Sequence, residues 1–409
     1  MTGKITYLDG LRGIAAINVM IMHFFIVLAP AMIYGSRMPS RLGDIEQIFS
    51  GTPAGLIGAG NFSVCIFFVL SGYVLTQKYF KTKDKNIIIS SALRRYIRLF
   101  VPVLAAVTLA YLLASSGAFH YYLEAVEVSG NNNYANYWTF TPDVFEAGKA
   151  AVWGSFFTGD DTYNPVLWTM TTEFYGSMLV FAMALLFGTL RSRWTFYLAA
   201  FILFFNSYYL AFIIGMGFAD TFSVKKPLFK MDNKIILSII LVLGLFLGSY
   251  PMGTVTTDSL YGFLNSGLFR TPRLTYHILG AGMIMYVILN NESLQKIFSS
   301  RVPVFFGKIS YSLYLIHFLI ISSFTSALFL MLLPVLPYGA AALTASFVSL
   351  FLIIPLSYVF YKYIDNAGIE ISRNFYNWLV KLWPSNTAEP TKQKNLPGTI
   401  FTIYNKIFK

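Results

Sequence analysis

Long apolar runs dominate the chain, and short polar stretches separate them. A helix of roughly 20 apolar residues crosses a bilayer core about 30 Å thick. Apolar runs that approach or reach this length fall at residues 14–33, 61–77, 99–117, 165–188, 194–206, 207–219, 235–250, 274–290, 309–333 and 339–361. The fifth and sixth are short. Asn206-Ser207 between them predicts a tight hairpin that does not fully cross. The pattern predicts an all-α fold: a polytopic membrane helical bundle of about ten transmembrane helices. No small-residue cleavage site follows the first run, so it is read as a retained helix, not a signal peptide.

Composition agrees. Of 409 residues, 56% are hydrophobic, 18% aromatic and 12% charged, against about 25% charged in a soluble domain. An open soluble fold is excluded. The net charge of +12 invites a nucleic-acid partner, but its distribution assigns it to topology. Cytoplasmic loops collect lysine and arginine. With the N-terminus inside, 25 of the 30 fall in cytoplasmic segments: before residue 14, in 78–98, 189–193, 220–234 and 291–308, and after 361. The others are Arg37, Arg41, Lys149, Arg270 and Arg273. The outer loop 118–164 holds one lysine and six acidic residues. Both termini are therefore expected in the cytoplasm, with no nucleic acid as partner. The remaining basic charge suits anionic lipid or a phosphorylated cytosolic substrate. Residues 1–383 are expected to form one transmembrane domain. Residues 384–409 are expected to form a cytoplasmic tail, whose last stretch, 400-IFTIYNKIFK-409, spaces its apolar residues as an interfacial helix does. Cys65 is the sole cysteine, which leaves no internal disulfide.

The polar residues inside the apolar runs carry the candidate chemistry. In 8-LDGLRGIAAINVMIMHFF-25, Arg12 and His23 are eleven residues apart. At 100° per residue they share one face, separated by a rise of roughly 16 Å. They cannot touch each other, but one long ligand reaches both. Arg12 alone also reads as a snorkelling topology residue, and His23 alone as a structural hydrogen bond between helices. Glu173, in 164-NPVLWTMTTEFYG-176, descends from the outer side to roughly 12 Å depth, which predicts that it meets His23. A mid-membrane imidazole and carboxylate suit proton transfer or activation of a hydroxyl; a structural ion pair is the alternative. In 66-IFFVLSGYVLT-76, Gly72 is read as a packing notch, and Ser71 and Tyr73 as candidate site-lining residues. Arg94, Arg95 and Arg98 cluster before the third run, where forked hydrogen bonds suit phosphate. A topology anchor explains them equally well. His317 lies roughly 12 Å up the ninth run, and His277 near the outer end of the eighth, beside Arg270 and Arg273. His120 is expected to be solvated. No metal-ligand spacing, phosphate-binding glycine loop or redox cysteine pair is visible.

Five stretches together resemble the integral-membrane acyltransferase-3 family: 7-YLDGLRGIAAINVMIMHF-24, 67-FFVLSGYVLT-76, 94-RRYIRLFVP-102, 167-LWTMTTEF-174 and 306-FGKISYSLYLIHF-318. Tyr73 stands where the family's second motif usually has phenylalanine. Glu173 is followed by Phe174 where many members have a second acid. The resemblance implies a ten-helix O-acyltransferase that moves an acyl group, commonly acetyl, from acyl-CoA as co-substrate to a hydroxyl of a saccharide or lipid-linked glycan. It implies a bacterial inner membrane as location. It implies that Arg12, Arg94, Arg95 and Arg98 hold the CoA phosphates and that His23 is base or acyl carrier. Glu173 then orients or charges the pair, while Ser71, Tyr73, Trp168 and His317 line the substrate. The rival reading is a proton-coupled transporter or flippase of a lipid-linked sugar, in which mid-membrane ionisable groups couple transport to protons. A third is a structural component that recruits a polysaccharide machine.

Overall fold

A computed structural model describes residues 5–131, 134–223, 230–253, 255, 259–265 and 271–382. Arg270 and the segment 384–409 lie outside the described residues, as does the interfacial helix expected there. Among the described residues every regular element is helical. Six helices are long and apolar enough to cross a membrane: Thr6–Leu28, Gly60–Thr82, Lys85–Ser115, Pro165–Phe187, Arg301–Leu332 and Tyr338–Leu382. The protein is a multi-pass helical membrane protein.

Each apolar run of the sequence corresponds to a helix. We label them α1 (Thr6–Leu28), α2 (Gly60–Thr82), α3 (Lys85–Ser115), α4 (Trp168–Phe187), α5 (Arg193–Leu203), α6 (Tyr209–Phe222), α7 (Lys234–Gly248), α8 (Pro272–Asn290), α9 (Arg301–Ile320) and α10 (Tyr338–Phe360), followed by α11 (Asn366–Leu382). The expected hairpin is α5 and α6, of 11 and 14 residues. At 1.5 Å per residue they rise roughly 16 and 21 Å, short of the core thickness.

Small residues set two close helix crossings. Where α1 meets α9, a Cβ on Gly13 would strike the Pro303 carbonyl oxygen and the Gly307 amide nitrogen, and one on Gly307 would strike the Asp9 carbonyl oxygen. Where α2 meets α6, Gly72 abuts the Phe212 carbonyl and Gly215 the Val69 carbonyl. Lipid tails are as apolar as leucine, so helices in a membrane gain little by hiding apolar side chains from them. Close backbone approach and dense packing contribute instead. Gly72 is therefore a packing notch, as the sequence suggests.

A loop side chain and one at the start of α10 cap carbonyls at the end of α1 that would otherwise be unpaired. Asn131 donates to the Ile26 carbonyl at 2.6 Å and Tyr338 to the Leu28 carbonyl at 2.7 Å, both in the last turn of α1. The segment before α4 is drawn into the bundle. Asn164 is fully buried and donates to the Leu315 carbonyl of α9 at 2.8 Å, and Pro165, Val166 and Leu167 are buried after it. Helix α4 therefore starts deep inside the protein.

Helices α10 and α11 are joined by a π-helical turn at Tyr361–Asp365. Pro102 lacks the N–H that would engage the Arg98 carbonyl within α3. Gly368 of α11 lies against that point, with a Cβ position 3.5 Å from the Arg98 oxygen. This contact brings Asp365 to Arg98.

Replacing Gly307 with leucine should destabilise the protein by about 1–3 kcal/mol through overpacking, lowering the thermal midpoint in detergent. Gly217→Ala, where an added Cβ meets nothing within 4 Å, should leave the midpoint unchanged. Equal midpoints for the two variants would show that the α1–α9 crossing is not close-packed.

Candidate active site

A cavity of about 360 Å³ opens between α1, α2, α3, α4, α9 and the start of α11. Its charged lining is Asp9 and Arg12 from α1, Arg95 and Arg98 from α3, Glu173 from α4, Lys308 from α9 and Asp365 from the π-helical turn. Its opposite end is Val64, Phe67, Thr169 and Tyr314. Along α2 the wall runs from Leu75 to Val64, a rise of roughly 16 Å. The cavity is thus a shaft, charged at one end and apolar to hydroxylic at the other.

Each arginine at the charged end has its own carboxylate. Arg95 pairs with Glu173, and both side chains are 14% exposed. The same Glu173 oxygen accepts from Ser71 at 2.8 Å, while Arg95 Nε donates to Ser177 at 2.9 Å. Arg98 Nη1 lies 2.6 Å from Asp365 Oδ1, with its guanidinium 5.6 Å from the centre of the Tyr311 ring. Arg12 makes the loosest pair, 3.5 Å from Asp9, and is 32% exposed. Lys308 is exposed and has no ion pair among the described residues. Arg94 is turned away: its Nε donates to the Ser90 carbonyl at 3.1 Å, and it does not line the cavity.

The two histidines meet beyond the far end. His23 Nδ1 lies 2.9 Å from His317 Nε2 and 2.9 Å from the Val19 carbonyl oxygen. His317 Nδ1 lies 2.7 Å from the Leu313 carbonyl oxygen. Phe318 packs its edge against the His23 ring, at 4.9 Å between centroids. Neither histidine lines the cavity. Tyr314, one turn before His317 on α9, stands between: it lines the shaft, and its ring lies 6.0 Å from that of His317. Its hydroxyl is held by the Val166 carbonyl at 2.9 Å and the Thr169 hydroxyl at 2.8 Å.

The structure does not bring Glu173 to His23. The sequence estimate of depth started α4 at the membrane surface. Asn164 is instead bonded at the level of Leu315, two residues from His317. The nine residues from Asn164 to Glu173 then carry the carboxylate roughly 13 Å past the histidines, down to Ser71 and the arginines. Arg12 and His23 do flank the shaft from opposite ends. Tyr73 is buried outside the cavity wall and accepts from Gln77 at 3.2 Å. Trp168 also lies outside it, with its ring 5.4 Å from that of Tyr208.

His277 sits between Asn61 at 2.8 Å and the Tyr250 carbonyl at 3.0 Å, fully enclosed. His120 is 69% exposed beside Glu124. Sequence reasoning missed Asp9, Lys308, Tyr311, Tyr314 and Asp365. The signals were present: Lys308, Tyr311 and Tyr314 recur every three residues in 307-GKISYSLYLIHF-318, which puts them on one helical face.

The cavity thus carries four cationic side chains, with a buried imidazole pair beyond its far end in a multi-pass membrane protein. A family model described as an acyltransferase domain matches residues 5–362, and the chain belongs to this acyltransferase-3 family. It is 26% identical over 400 residues to acyltransferase clz18 of Cochliobolus lunatus, covering 79% of this chain and 84% of that protein. It is 24% identical over 397 residues to acyltransferase R4 of a Phoma species, with 79% and 84% covered. It is 24% identical over 448 residues to O-acetyltransferase PaAT-1 of Phomopsis amygdali, with 93% and 86% covered. No solved structure matches.

Removing one partner of the Arg95–Glu173 pair strands the other charge in the bundle, at a cost of about 3–5 kcal/mol. Arg95→Leu and Glu173→Leu should each unfold more readily than the double variant. Cys65 is fully buried, so its labelling by a thiol-reactive dye reports the unfolding. A double variant less stable than either single one would contradict the assignment.

Proposed function

We propose that this protein is a membrane O-acyltransferase that transfers an acyl group, most simply acetyl, from cytosolic acyl-CoA to a hydroxyl of a saccharide or lipid-linked glycan. The observation that carries the reading is the shaft itself. Its charged end suits the phosphates of a CoA thioester, and a buried imidazole pair lies one helical turn beyond its far end. The lysine and arginine distribution supports a charged end that faces the cytosol, where acyl-CoA resides. Family membership supports acyl transfer, and the resemblance to O-acetyltransferase PaAT-1 supports acetyl. The bacterial inner membrane expected from the sequence rests on the family resemblance and on the lack of an organelle-type address; the three relatives are fungal.

The phosphates bind at Arg12 and Lys308. Arg95 and Arg98 are already neutralised by carboxylates and build the wall of the shaft, leaving phosphate contact to the less committed cations. The pantetheine arm runs up the shaft and carries the thioester past Tyr314. The acceptor hydroxyl loses its proton to His23 as its oxygen attacks the thioester carbonyl carbon. The carbon–sulfur bond breaks, the new ester leaves, and the CoA thiolate regains a proton from the imidazolium. A second route with the same residues has His23 take the acyl group first. Glu173 fixes Arg95 and Ser71 at the lower end and takes no part in the proton transfer.

Membranes containing the wild-type protein should release CoA from acetyl-CoA, and His23→Ala should lower the rate by about 10²-fold or more. A folded His23→Ala variant with full activity would end the proposal. Arg12→Ala and Lys308→Ala should raise KM for acetyl-CoA about tenfold each, as the loss of a charge-assisted contact does, with a smaller change in kcat. The acceptor is read by mass spectrometry of surface and lipid-linked glycans from wild-type and deletion cells. Loss of roughly 42 mass units per site identifies acetyl on a hydroxyl. A transporter would instead leave acetyl-CoA unconsumed.

A further inference from the structure

We infer that His317 is a positioning residue that holds His23 by an imidazole–imidazole hydrogen bond and shares the positive charge that His23 gains when it takes up a proton. The inference rests on the acyl-transfer reading above and deepens it.

The hydrogen-bond partners assign the protons. A carbonyl oxygen only accepts. His317 Nδ1 faces the Leu313 oxygen at 2.7 Å, so it carries a hydrogen, and neutral His317 presents a lone pair at Nε2. His23 Nδ1 faces the Val19 oxygen at 2.9 Å and His317 Nε2 at 2.9 Å. Both are acceptors, so His23 Nδ1 carries a hydrogen directed between them. The two carbonyls impose the same direction on both rings. The chain runs from His23 Nδ1–H to His317 Nε2, and from His317 Nδ1–H to Leu313. The lone pair of His23 is thereby left on Nε2, which has no hydrogen-bond partner among the described residues.

The arrangement matches the orienting part of a nucleophile–base–orienter triad, with a neutral imidazole where a carboxylate usually stands. Glu173 does not fill that place, because it is committed to Arg95 and Ser71. A carboxylate beside His23 would add a buried charge at rest. A second imidazole adds none until the reaction begins. When Nε2 of His23 accepts the acceptor's proton, the resulting imidazolium donates a charge-assisted bond to His317 Nε2, and the positive charge is spread over both rings. No other described side chain accepts from His23. The rings are tilted by 52° and walled by Phe318, which keeps the pair dry and the bond strong.

The test uses the full-length protein in native membranes, with acetyl-CoA as the probe and CoA release as the readout. His317→Leu removes the acceptor, and His317→Gln restores a carbonyl oxygen near the place of Nε2. The leucine variant should lose about 10–100-fold in kcat with KM for acetyl-CoA unchanged within twofold, and the glutamine variant should recover at least tenfold of a hundredfold loss. Cys65 protection confirms that both fold. Equal activities of leucine and glutamine variants, full activity of the leucine variant, or a loss confined to KM would overturn the assignment. A second readout does not depend on turnover. The chain has four histidines, so spectra of protein labelled with ¹⁵N-histidine are sparse. They should show a nitrogen–nitrogen coupling across the His23–His317 hydrogen bond, with His23 protonated at Nδ1. Absence of that coupling, or His23 protonated only at Nε2, would also overturn it. Failure of the wild type to consume acetyl-CoA would count against the acyl-CoA reading, and the coupling would then decide the histidine pair separately.

Discussion

The cost of holding ionised side chains away from water governs the arrangement of this protein. An unpaired charge in a bilayer costs several kcal/mol or more, and the three arginines of the shaft each have a carboxylate beside them: Arg12 with Asp9, Arg95 with Glu173, and Arg98 with Asp365. The last two tie α3 to α4 and to the turn before α11, while the first lies within α1. Lys308 adds the surplus cation. The shaft therefore stays polar and open while its net charge stays small, which suits a site that must admit an anion and release it.

The pairs differ in a way that matters for binding. The Arg95–Glu173 pair is deep and shared with Ser71 and Ser177. Asp9 and Arg12 are loosely matched at the mouth. An incoming phosphate gains most from the weakly committed cations, so the pairing pattern divides the arginines into those that build the shaft and those that meet the ligand. Beyond the polar region the wall becomes aromatic and hydroxylic, and Tyr314 separates it from the histidines. The chemistry is thereby set apart from the charged mouth, in the drier part of the protein.

Much of this was legible in the sequence, because its strongest signals are periodic. Every apolar run became a helix, the short pair at α5 and α6 was visible from length and Asn206-Ser207, and the eleven-residue step from Arg12 to His23 put Arg12 in the shaft wall and His23 beyond its far end, outside the lining. Depth was harder to read. Glu173 was placed beside His23 by counting from an assumed surface start. The burial of Asn164 against Leu315 moved that start by a distance no local pattern encodes. Partner choice was equally hidden: which carboxylate meets which arginine depends on how α10 continues through a π-helical turn into α11, bringing Asp365 back to Arg98. The meeting of His23 and His317 joins residues 294 positions apart, and only packing reveals it.

The central claim is that one ligand spans the shaft from the cationic mouth to His23. A structure of the protein with a ketone isostere of acetyl-CoA bound tests it most directly. The account predicts phosphate density beside Arg12 and Lys308, Tyr314 displaced from its bond to Thr169, and the ketone carbonyl next to His23 Nε2. An isostere that ends at Glu173 and Ser71 with Tyr314 still closed over it, or that binds outside the shaft, would contradict the account.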